Sequence, residues 1–248
     1  MNTLIDIEIS LIKIVLILSV ITVGVLAFCL FFDQATLVRK GTIFRVKTKK
    51  KKIAITFDDG PSEIWTPKIL DELKKAEVKA TFFMIGAHVQ KFPQIARRVA
   101  QEGHTIGNHG YAHSVLFYYT DEELEEEIKY TEMVIKEITG YTTKLFRPPK
   151  AWISSSEKKK VKSIGYETVL WSINSKDWVP FSHKNIVQFI SQKAGDGDIV
   201  LFHDSGGVLK AEGGNRLQTV LTIPPLIKNL REKGFEFDAL EEFLGGKV

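Results

Sequence analysis

Cysteine is nearly absent from this chain of 248 residues, which contains only Cys29. A single cysteine cannot form a disulfide within the chain, so cysteine usage does not reveal the redox compartment of the protein. A strong charge of one sign is also missing, because 34 Lys and Arg residues stand against 30 Asp and Glu residues and are spread along the sequence apart from one run, Lys49–Lys52. Such a distribution excludes the basic stripe that is typical of nucleic-acid-binding proteins. The hydrophobic content of 44% is that of an ordinary globular protein.

One long stretch without charge stands near the N-terminus. The run Ile14–Phe32 has 19 residues and no charged side chain, which is enough for a helix to cross a hydrocarbon core of about 30 Å. A cleaved signal peptide is the alternative, but it usually has a basic leading segment and small residues at the cleavage site. Here Asp6 and Glu8 precede Lys13, and no such cleavage pattern follows the run. We therefore predict a retained transmembrane anchor after a short N-terminal segment, residues 1–13.

After the apolar run, residues 33–50 form a polar, basic connector, and residues 51–245 have the pattern of one domain. Strand-like runs alternate there with longer helix-like runs, which is typical of a parallel sheet. About seven such repeats favour a closed or nearly closed (β/α) barrel over an open sheet. We predict an α/β fold, a barrel of about seven parallel strands preceded by one transmembrane helix. The predicted strands are Ile53–Phe57, Ala80–Ile85, Thr105–Asn108, Lys144–Arg147, Glu167–Trp171, Ile199–His203 and Phe235–Ala239.

Several helix boundaries have signals of their own. Thr66 as a cap and Pro67 in the first turn predict the start of the first helix of the domain. The segment Thr120–Glu123 is a capping box and predicts the start of a long helix. Gly103 and Gly234 each follow a helical pattern and predict its end.

Ionisable residues cluster where the predicted strands end. In a parallel α/β barrel the C-terminal ends of all strands open on one face, where active sites are built. Structural side chains would have no reason to share that position, so we expect these residues to converge in one site. They are Asp58, Asp59, His109, His113, Arg147, Asp177 and His203.

The pair His109 and His113 is the strongest indication of a metal site. Two imidazoles four residues apart can reach one ion from a single turn of backbone, although this spacing alone is a weak signal. A carboxylate from another strand strengthens it, because two histidines and one aspartate leave positions open for water and substrate. The neighbours Asp58 and Asp59 must point in different directions. One of them can therefore bind the metal while the other stays free as a base.

Five short motifs then give the chain a family resemblance. TFDDG, the histidines of GNHGYAH, FRPP, DW and LFHD occur in the order seen in polysaccharide deacetylases of the NodB-homology type, carbohydrate esterase family 4. The resemblance covers about Lys51 to Phe243 and implies a distorted (β/α) barrel. It further implies roles for individual residues. These are Asp58 as catalytic base, His203 as general acid, Asp59, His109 and His113 as metal ligands, and Arg147 and Asp177 as residues that orient the catalytic groups.

Substrate contacts follow from the same resemblance. It implies that Trp178 and Leu201 line the acetyl pocket and that Pro149 and Lys150 stand at the substrate, and Tyr111 could stack on a sugar ring. Lys150 departs from the family pattern, where an aromatic residue often provides a backbone N–H to the oxyanion. Asn174 stands where the family commonly has Asp.

The resemblance predicts a hydrolase that removes N-acetyl groups from a cell-surface polysaccharide, either peptidoglycan or a chitin-like oligomer. Zinc is the expected ion, and cobalt or nickel could replace it. Two alternatives stay open, an O-acetyl esterase acting on a xylan-like polymer and a catalytically silent glycan-binding module.

The expected location is the cell membrane, with a single span and the catalytic domain outside the cytoplasm. The basic residues after the span favour the opposite orientation, because such residues tend to stay in the cytoplasm. A polymeric glycan substrate beyond the membrane favours the outside. No feature of the sequence predicts an oligomeric state or binding to nucleic acid.

Overall fold

The computed structural model describes residues 2–31, 33, 35–206 and 213–246. Its first helix, α1 (Asn2–Phe31), forms one compact unit, and the chain from Ala35 onward forms a second. Within the described part of the chain, no helix combines the length and apolar character needed to cross a membrane, so the predicted anchor is unconfirmed. The last residue of the predicted span, Phe32, lies outside the described residues.

The second unit alternates strands and helices. Its strands are β1 (Lys52–Asp58), β2 (Thr81–Met84), β3 (Thr105–Asn108), β4 (Leu145–Phe146), β5 (Glu167–Thr168), β6 (Ile173–Asn174), β7 (Ile199–His203) and β8 (Glu236–Phe237). Its helices are α2 (Ala35–Val38), α3 (Trp65–Lys75), α4 (Gly86–Lys91), α5 (Pro93–Gln101), α6 (Asp121–Thr139), α7 (Ser155–Ser163), α8 (His183–Lys193), α9 (Leu217–Glu232) and α10 (Leu240–Phe243), with 3₁₀ turns at Leu116–Tyr118 and Pro149–Ala151.

The strands form one parallel half-barrel. Their order is β5-β4-β3-β2-β1-β7-β6, and β8 pairs with β1 outside this path. Every neighbouring pair is parallel. This confirms the predicted α/β fold with parallel strands. Because β1 is central, Asp58 at its end stands beside His203 of β7 on one side and Phe83 of β2 on the other.

Alternation along β1 separates two environments. Ile53, Ile55 and Phe57 pack into the larger core cluster, under the surrounding helices. Ala54 belongs to the second core cluster, on the opposite face of the strand. Side chains of a strand alternate between faces, so Asp58 shares the face of Ala54. The first catalytic candidate therefore projects from the inner face of the half-barrel.

Residues from the predicted connector pack on this unit. Ile43 forms a parallel bridge with Val169, and Arg45 forms an antiparallel bridge with Asp198 just before β7. The Ile43 N–H donates to Thr168 O, and the Ile43 carbonyl accepts from Leu170 N. The segment 43–46 thus connects the chain just after β5 to the chain just before β7.

The first helix of the domain begins two residues earlier than predicted, and its cap is different. Ile64 is the N-cap residue of α3 and makes no side-chain cap hydrogen bond. Ser62 Oγ instead accepts from the backbone N–H groups of Trp65 and Thr66. Thr66 lies inside the helix, where its hydroxyl donates to Asp204 and accepts from the Ser62 N–H, so it is not the cap. The capping box at Thr120 is confirmed, since both of its hydrogen bonds are present.

Candidate active site

Three of the predicted residues form one compact ligand cluster. Ligand atoms of Asp59, His109 and His113 all lie within 4.8 Å of one another. His113 Nε2 is 3.1 Å from Asp59 Oδ1, and His109 Nε2 is 3.4 Å from the same oxygen. Asp59 and His109 are buried. The donor set of two imidazoles and one carboxylate fits a divalent transition-metal ion and leaves coordination positions open.

Electrostatics at this cluster favour positive charge. Burial alone would raise the pKa of Asp59, but hydrogen bonds from His109 and His113 outweigh it and hold that pKa well below its usual range. Burial alone would lower the pKa of His109, but the charge of Asp58 and the hydrogen bond to Asp59 raise it. A carboxylate that stays ionised and an imidazole that attracts a proton indicate a negative potential at this cluster, which would also attract a metal cation.

The backbone sets the direction of His109. Its Nδ1 lies 2.7 Å from the carbonyl oxygen of Arg147. A carbonyl oxygen only accepts, so Nδ1 carries the hydrogen and Nε2 faces Asp59. A second bond of this kind orients a metal-binding imidazole and fixes its tautomer.

A further histidine holds the metal-site aspartate in an uncommon conformation. Asp59 has φ 75°, in the left-handed region that residues other than glycine rarely adopt. Buried His88, in α4, donates from Nδ1 to the carbonyl oxygen of Asp59 at 2.7 Å. His88 is not among the site residues predicted from the sequence. The signal was available, because His88 follows the second strand as the other site residues follow theirs.

Asp58 is held by a buried arginine. Arg147 Nη1 donates to Asp58 Oδ1 at 2.6 Å and to Thr56 Oγ1 at 2.8 Å. Arg147 has 0% exposure, and its guanidinium lies 3.9 Å from the ring centroid of Phe83. Asp58 Oδ2 points toward the ligand cluster, 3.9 Å from His109 Nε2. One oxygen of Asp58 is thus fixed while the other faces the place where a reacting molecule would bind.

Asp177 and His203 form a second pair beside the cluster. Asp177 Oδ1 accepts from His203 Nδ1 at 2.8 Å, and its Oδ2 accepts from His203 N and from Thr219 Oγ1 at 2.8 and 2.7 Å. Burial alone would lower the pKa of His203, but the charge and hydrogen bond of Asp177 raise it. The His203 imidazole therefore tends to hold a proton on Nε2, which makes it a suitable acid.

The predicted substrate residues lie around these groups. Trp178 packs edge-on against the His203 ring, with centroids 5.1 Å apart, and Leu201 is buried on β7 two residues before His203. Tyr111 is half-buried and donates its hydroxyl to Gln90. The segment after Arg147 has buried Pro149 and exposed Lys150, whose φ is 57°.

A third buried carboxyl stands behind the aspartate pair. Asp204 N donates to Asp58 O at 3.1 Å, and Asp204 Oδ2 accepts from Thr66 Oγ1 at 2.6 Å. No described residue forms a hydrogen bond with Asp204 Oδ1. Burial raises the pKa of Asp204 to about 7, and the charges of Asp59 and Asp58 add to this effect. A Cβ at Gly60 would lie 2.1 Å from Asp204 Oδ2, so this close approach requires glycine. Asp204 ends the LFHD motif, but it is not among the site residues predicted from the sequence.

Known proteins are similar to this chain in both sequence and fold. The sequence profile of the polysaccharide deacetylase family matches residues 45–169. The chain is 39% identical over 207 residues to a peptidoglycan-N-acetylglucosamine deacetylase of Bacillus cereus, which covers 81% of this chain and 92% of that protein. It is 32% identical over 201 residues to the peptidoglycan-N-acetylmuramic acid deacetylase PdaA of Bacillus subtilis, covering 79% of this chain and 73% of PdaA.

A solved structure gives the same result. The crystal structure of the Bc1960 peptidoglycan N-acetylglucosamine deacetylase, in complex with 4-naphthalen-1-yl-N-oxidanyl-benzamide, superposes with a TM-score of 0.78 at 35% identity. The match covers 83% of this chain and 94% of that one. The chain belongs to the polysaccharide deacetylase family, carbohydrate esterase family 4, and the relatives named here are N-deacetylases.

Proposed function

We propose that this protein is a metal-dependent hydrolase that removes N-acetyl groups from the N-acetylglucosamine residues of peptidoglycan. The observation that carries the proposal is the Asp59–His109–His113 cluster, whose buried members Asp59 and His109 stand beside the Asp58–Arg147 pair and within electrostatic reach of the Asp177–His203 pair. The relatives named above support peptidoglycan over a chitin-like oligomer as the polymer, and the more similar one supports N-acetylglucosamine over N-acetylmuramic acid.

Asp59, His109 and His113 would hold the ion. A divalent ion bound there would polarise the acetyl carbonyl and lower the pKa of a nearby water. Zinc is the first candidate, because it accepts two imidazoles and a carboxylate and keeps a position open. Cobalt and nickel are the alternatives for the same ligands.

Proton transfer is divided between two side chains. Asp58 removes a proton from the attacking water through Oδ2, because Arg147 holds its Oδ1. His203 gives a proton to the departing sugar amine through Nε2, because Asp177 holds its Nδ1. An amine leaves poorly unless it is protonated, so amide cleavage needs an acid separate from the base.

The test uses the purified protein stripped of metal and then reloaded with zinc, cobalt or nickel. With N-acetylated peptidoglycan, we expect equal amounts of acetate and new free amine, and both should depend on the added ion. Acetate without amine would favour the O-acetyl esterase, and no acetate with any ion would favour the silent glycan-binding module.

Two alanine variants complete this test. His113→Ala should lower metal content and activity together, because it removes a ligand. His183→Ala, a histidine on α8 that belongs to neither pair nor to the cluster, is the matched control and should change neither. A His113→Ala protein with full metal content and full activity would show that the ligand set is wrong.

We also propose that the protein is anchored in the cell membrane by its N-terminal apolar run, with the catalytic domain outside. The uncharged run Ile14–Phe32 supports this proposal. So does the exposure of described apolar side chains in α1, such as Val20 at 72% and Val23 at 65%. Apolar surface of this extent is stabilised by lipid or by a partner.

A further inference from the structure

Two exposed aromatic rings stand together on the loops that carry the site. Phe117 and Trp152 have 52% and 42% of their surface exposed, and their ring centroids are 5.6 Å apart with planes inclined by 36°. Large aromatic side chains are usually buried, so two exposed rings in contact with each other are an unusual feature of a surface.

The backbone beneath the rings is fixed by buried neighbours. Leu116 precedes Phe117, and Ile153 follows Trp152, and both belong to one core cluster with 1% exposure each. Ala151, on the other side of Trp152, is also buried. Because the neighbours are anchored inside, the two rings are directed outward and cannot retreat into the core.

The pair is continuous with the active site along the chain. Phe117 is four residues after His113, in the loop that follows β3, and Trp152 is five residues after Arg147, in the loop that follows β4. β3 and β4 are neighbours in the sheet. The two loops also approach each other near the ligands, since a Cβ at Gly110 would lie 3.9 Å from Pro149 Cγ.

We propose that Phe117 and Trp152 form a stacking platform for a pyranose ring of the glycan next to the sugar that is deacetylated. When one sugar of the polymer occupies the active site, the neighbouring sugars must extend over the loops at its edge. The loops after β3 and β4 lie there and carry Phe117 and Trp152. The C–H face of a pyranose is apolar and flat enough to cover an aromatic ring, which removes apolar surface of both from water. This inference rests on the proposed function and adds a second sugar-binding position to it.

The test compares the monosaccharide N-acetylglucosamine and a tetrasaccharide fragment of N-acetylated peptidoglycan, with Phe117→Ala, Trp152→Ala and the double variant. In the metal-loaded protein, each single change should lower the ratio of kcat/KM for the tetrasaccharide to that for the monosaccharide by about three- to tenfold. Trp152→Phe should restore most of the ratio, because it keeps a ring. Leu221→Ala, an exposed apolar residue on α9, is the control and should leave the ratio unchanged.

Binding is measured separately from turnover by calorimetry with the same tetrasaccharide. Weaker binding in Trp152→Ala without deacetylation by any variant would support the platform and reject the proposed chemistry. Normal deacetylation with an unchanged ratio and unchanged affinity in the double variant would overturn the platform and leave the proposed chemistry standing. Absence of both binding and turnover in the parent protein would overturn both.

Discussion

At the scale of single residues, the site depends on a turn of the backbone between Asp58 and Asp59. Asp58 ends β1 in extended conformation and reaches Arg147, whereas Asp59 has φ 75° and reaches the two histidines. Two like charges in adjacent positions repel each other, and the change of direction gives each a different positive partner. A left-handed aspartate costs roughly 1–3 kcal/mol, which the surrounding contacts must offset.

The acid and base roles can be separated from metal binding by two substitutions. Asp58→Asn and His203→Ala should retain bound metal and lose activity by about 10²–10⁴-fold, because each removes a proton-transfer group and no ligand. Metal content and kcat on the amide substrate are the measurements. An unchanged rate in His203→Ala would remove the general-acid role, and loss of metal in Asp58→Asn would mean that the two aspartates have exchanged roles.

His88 should act through Asp59. Replacing His88 by Leu removes the donor to the Asp59 carbonyl and leaves that oxygen buried without its partner, so metal affinity should fall by about tenfold or more. His88→Asn places an amide N–H near the position of Nδ1 and should recover most of the affinity. Metal titration of the two variants is the measurement. Equal affinities for the Leu and Asn variants would mean that the hydrogen bond does not position the ligand.

Asp204 should make stability depend on pH. Its pKa is about 7 in the folded chain, above the ordinary value near 3.8, so the folded state holds a proton that the unfolded state releases. Stability from this group is fully present below about pH 3.8 and is lost as pH rises from there through about 7, with a slope on the order of 1.4 kcal/mol per pH unit between these values. Asp204→Asn has no such proton. The free energy of unfolding of metal-free protein, measured in urea at pH 5 and pH 8, should fall more for the parent than for this variant.

A parallel fall in the parent and in Asp204→Asn would contradict this assignment. The metal-free state matters, because a bound cation beside Asp59 would stabilise the ionised form of Asp204 and lower its pKa.

At the scale of elements, long and regular segments were predictable and short ones were not. The predicted strands Ile53–Phe57, Thr105–Asn108 and Ile199–His203 match β1, β3 and β7 closely because each has an uninterrupted run of pairing partners. Glu167–Trp171 was predicted as one strand, yet only Glu167–Thr168 forms β5, and β6 begins after it at Ile173. The apolar character of this run does not show where β5 ends, because it does not indicate which neighbouring strand each residue pairs with.

The same limit applies to the site. The position of ionisable residues at strand ends correctly indicated that they converge, since that follows from parallel topology. The tertiary partners that complete the site were not predictable, because Thr56 and Thr219 have the sequence pattern of ordinary strand and helix residues, and the LFHD motif does not show which groups Asp204 contacts. Only coordinates show that the Thr219 hydroxyl reaches Asp177 and that the Thr66 hydroxyl reaches Asp204.

The contribution of the segment 43–46 to stability can be tested by Ala substitutions at two glycines. Gly197 has φ 80°, and a Cβ there would lie 1.9 Å from Val46 O. Gly140 has φ 74°, and a Cβ there would meet nothing within 4 Å. Both Ala substitutions add backbone strain of about 1 kcal/mol, but Gly197→Ala must also displace the segment and should lower the free energy of unfolding by about 2 kcal/mol more. Equal losses in urea unfolding would mean that this contact adds nothing to stability.

At the scale of the whole molecule, orientation in the membrane is the open prediction. Arg39, Lys40 and the run Lys49–Lys52 follow the apolar segment and favour a cytoplasmic domain by the positive-inside rule. Long C-terminal domains are translocated with less regard to charge, and a peptidoglycan substrate requires the outside. Protease added to intact protoplasts of expressing cells should therefore digest the catalytic domain. Protection until the membrane is permeabilised would overturn both the orientation and the polymer substrate.

The bridge from Ile43 and Arg45 to Val169 and Asp198 also has a consequence for synthesis on the ribosome. The segment leaves the ribosome more than a hundred residues before its pairing partners, so it must wait while most of the strands are made. Contacts of such high sequence separation form late and slowly. We therefore expect nascent chains that end before Val169 to leave this segment open to proteolysis, and its docking onto the assembled sheet to be a late step of folding.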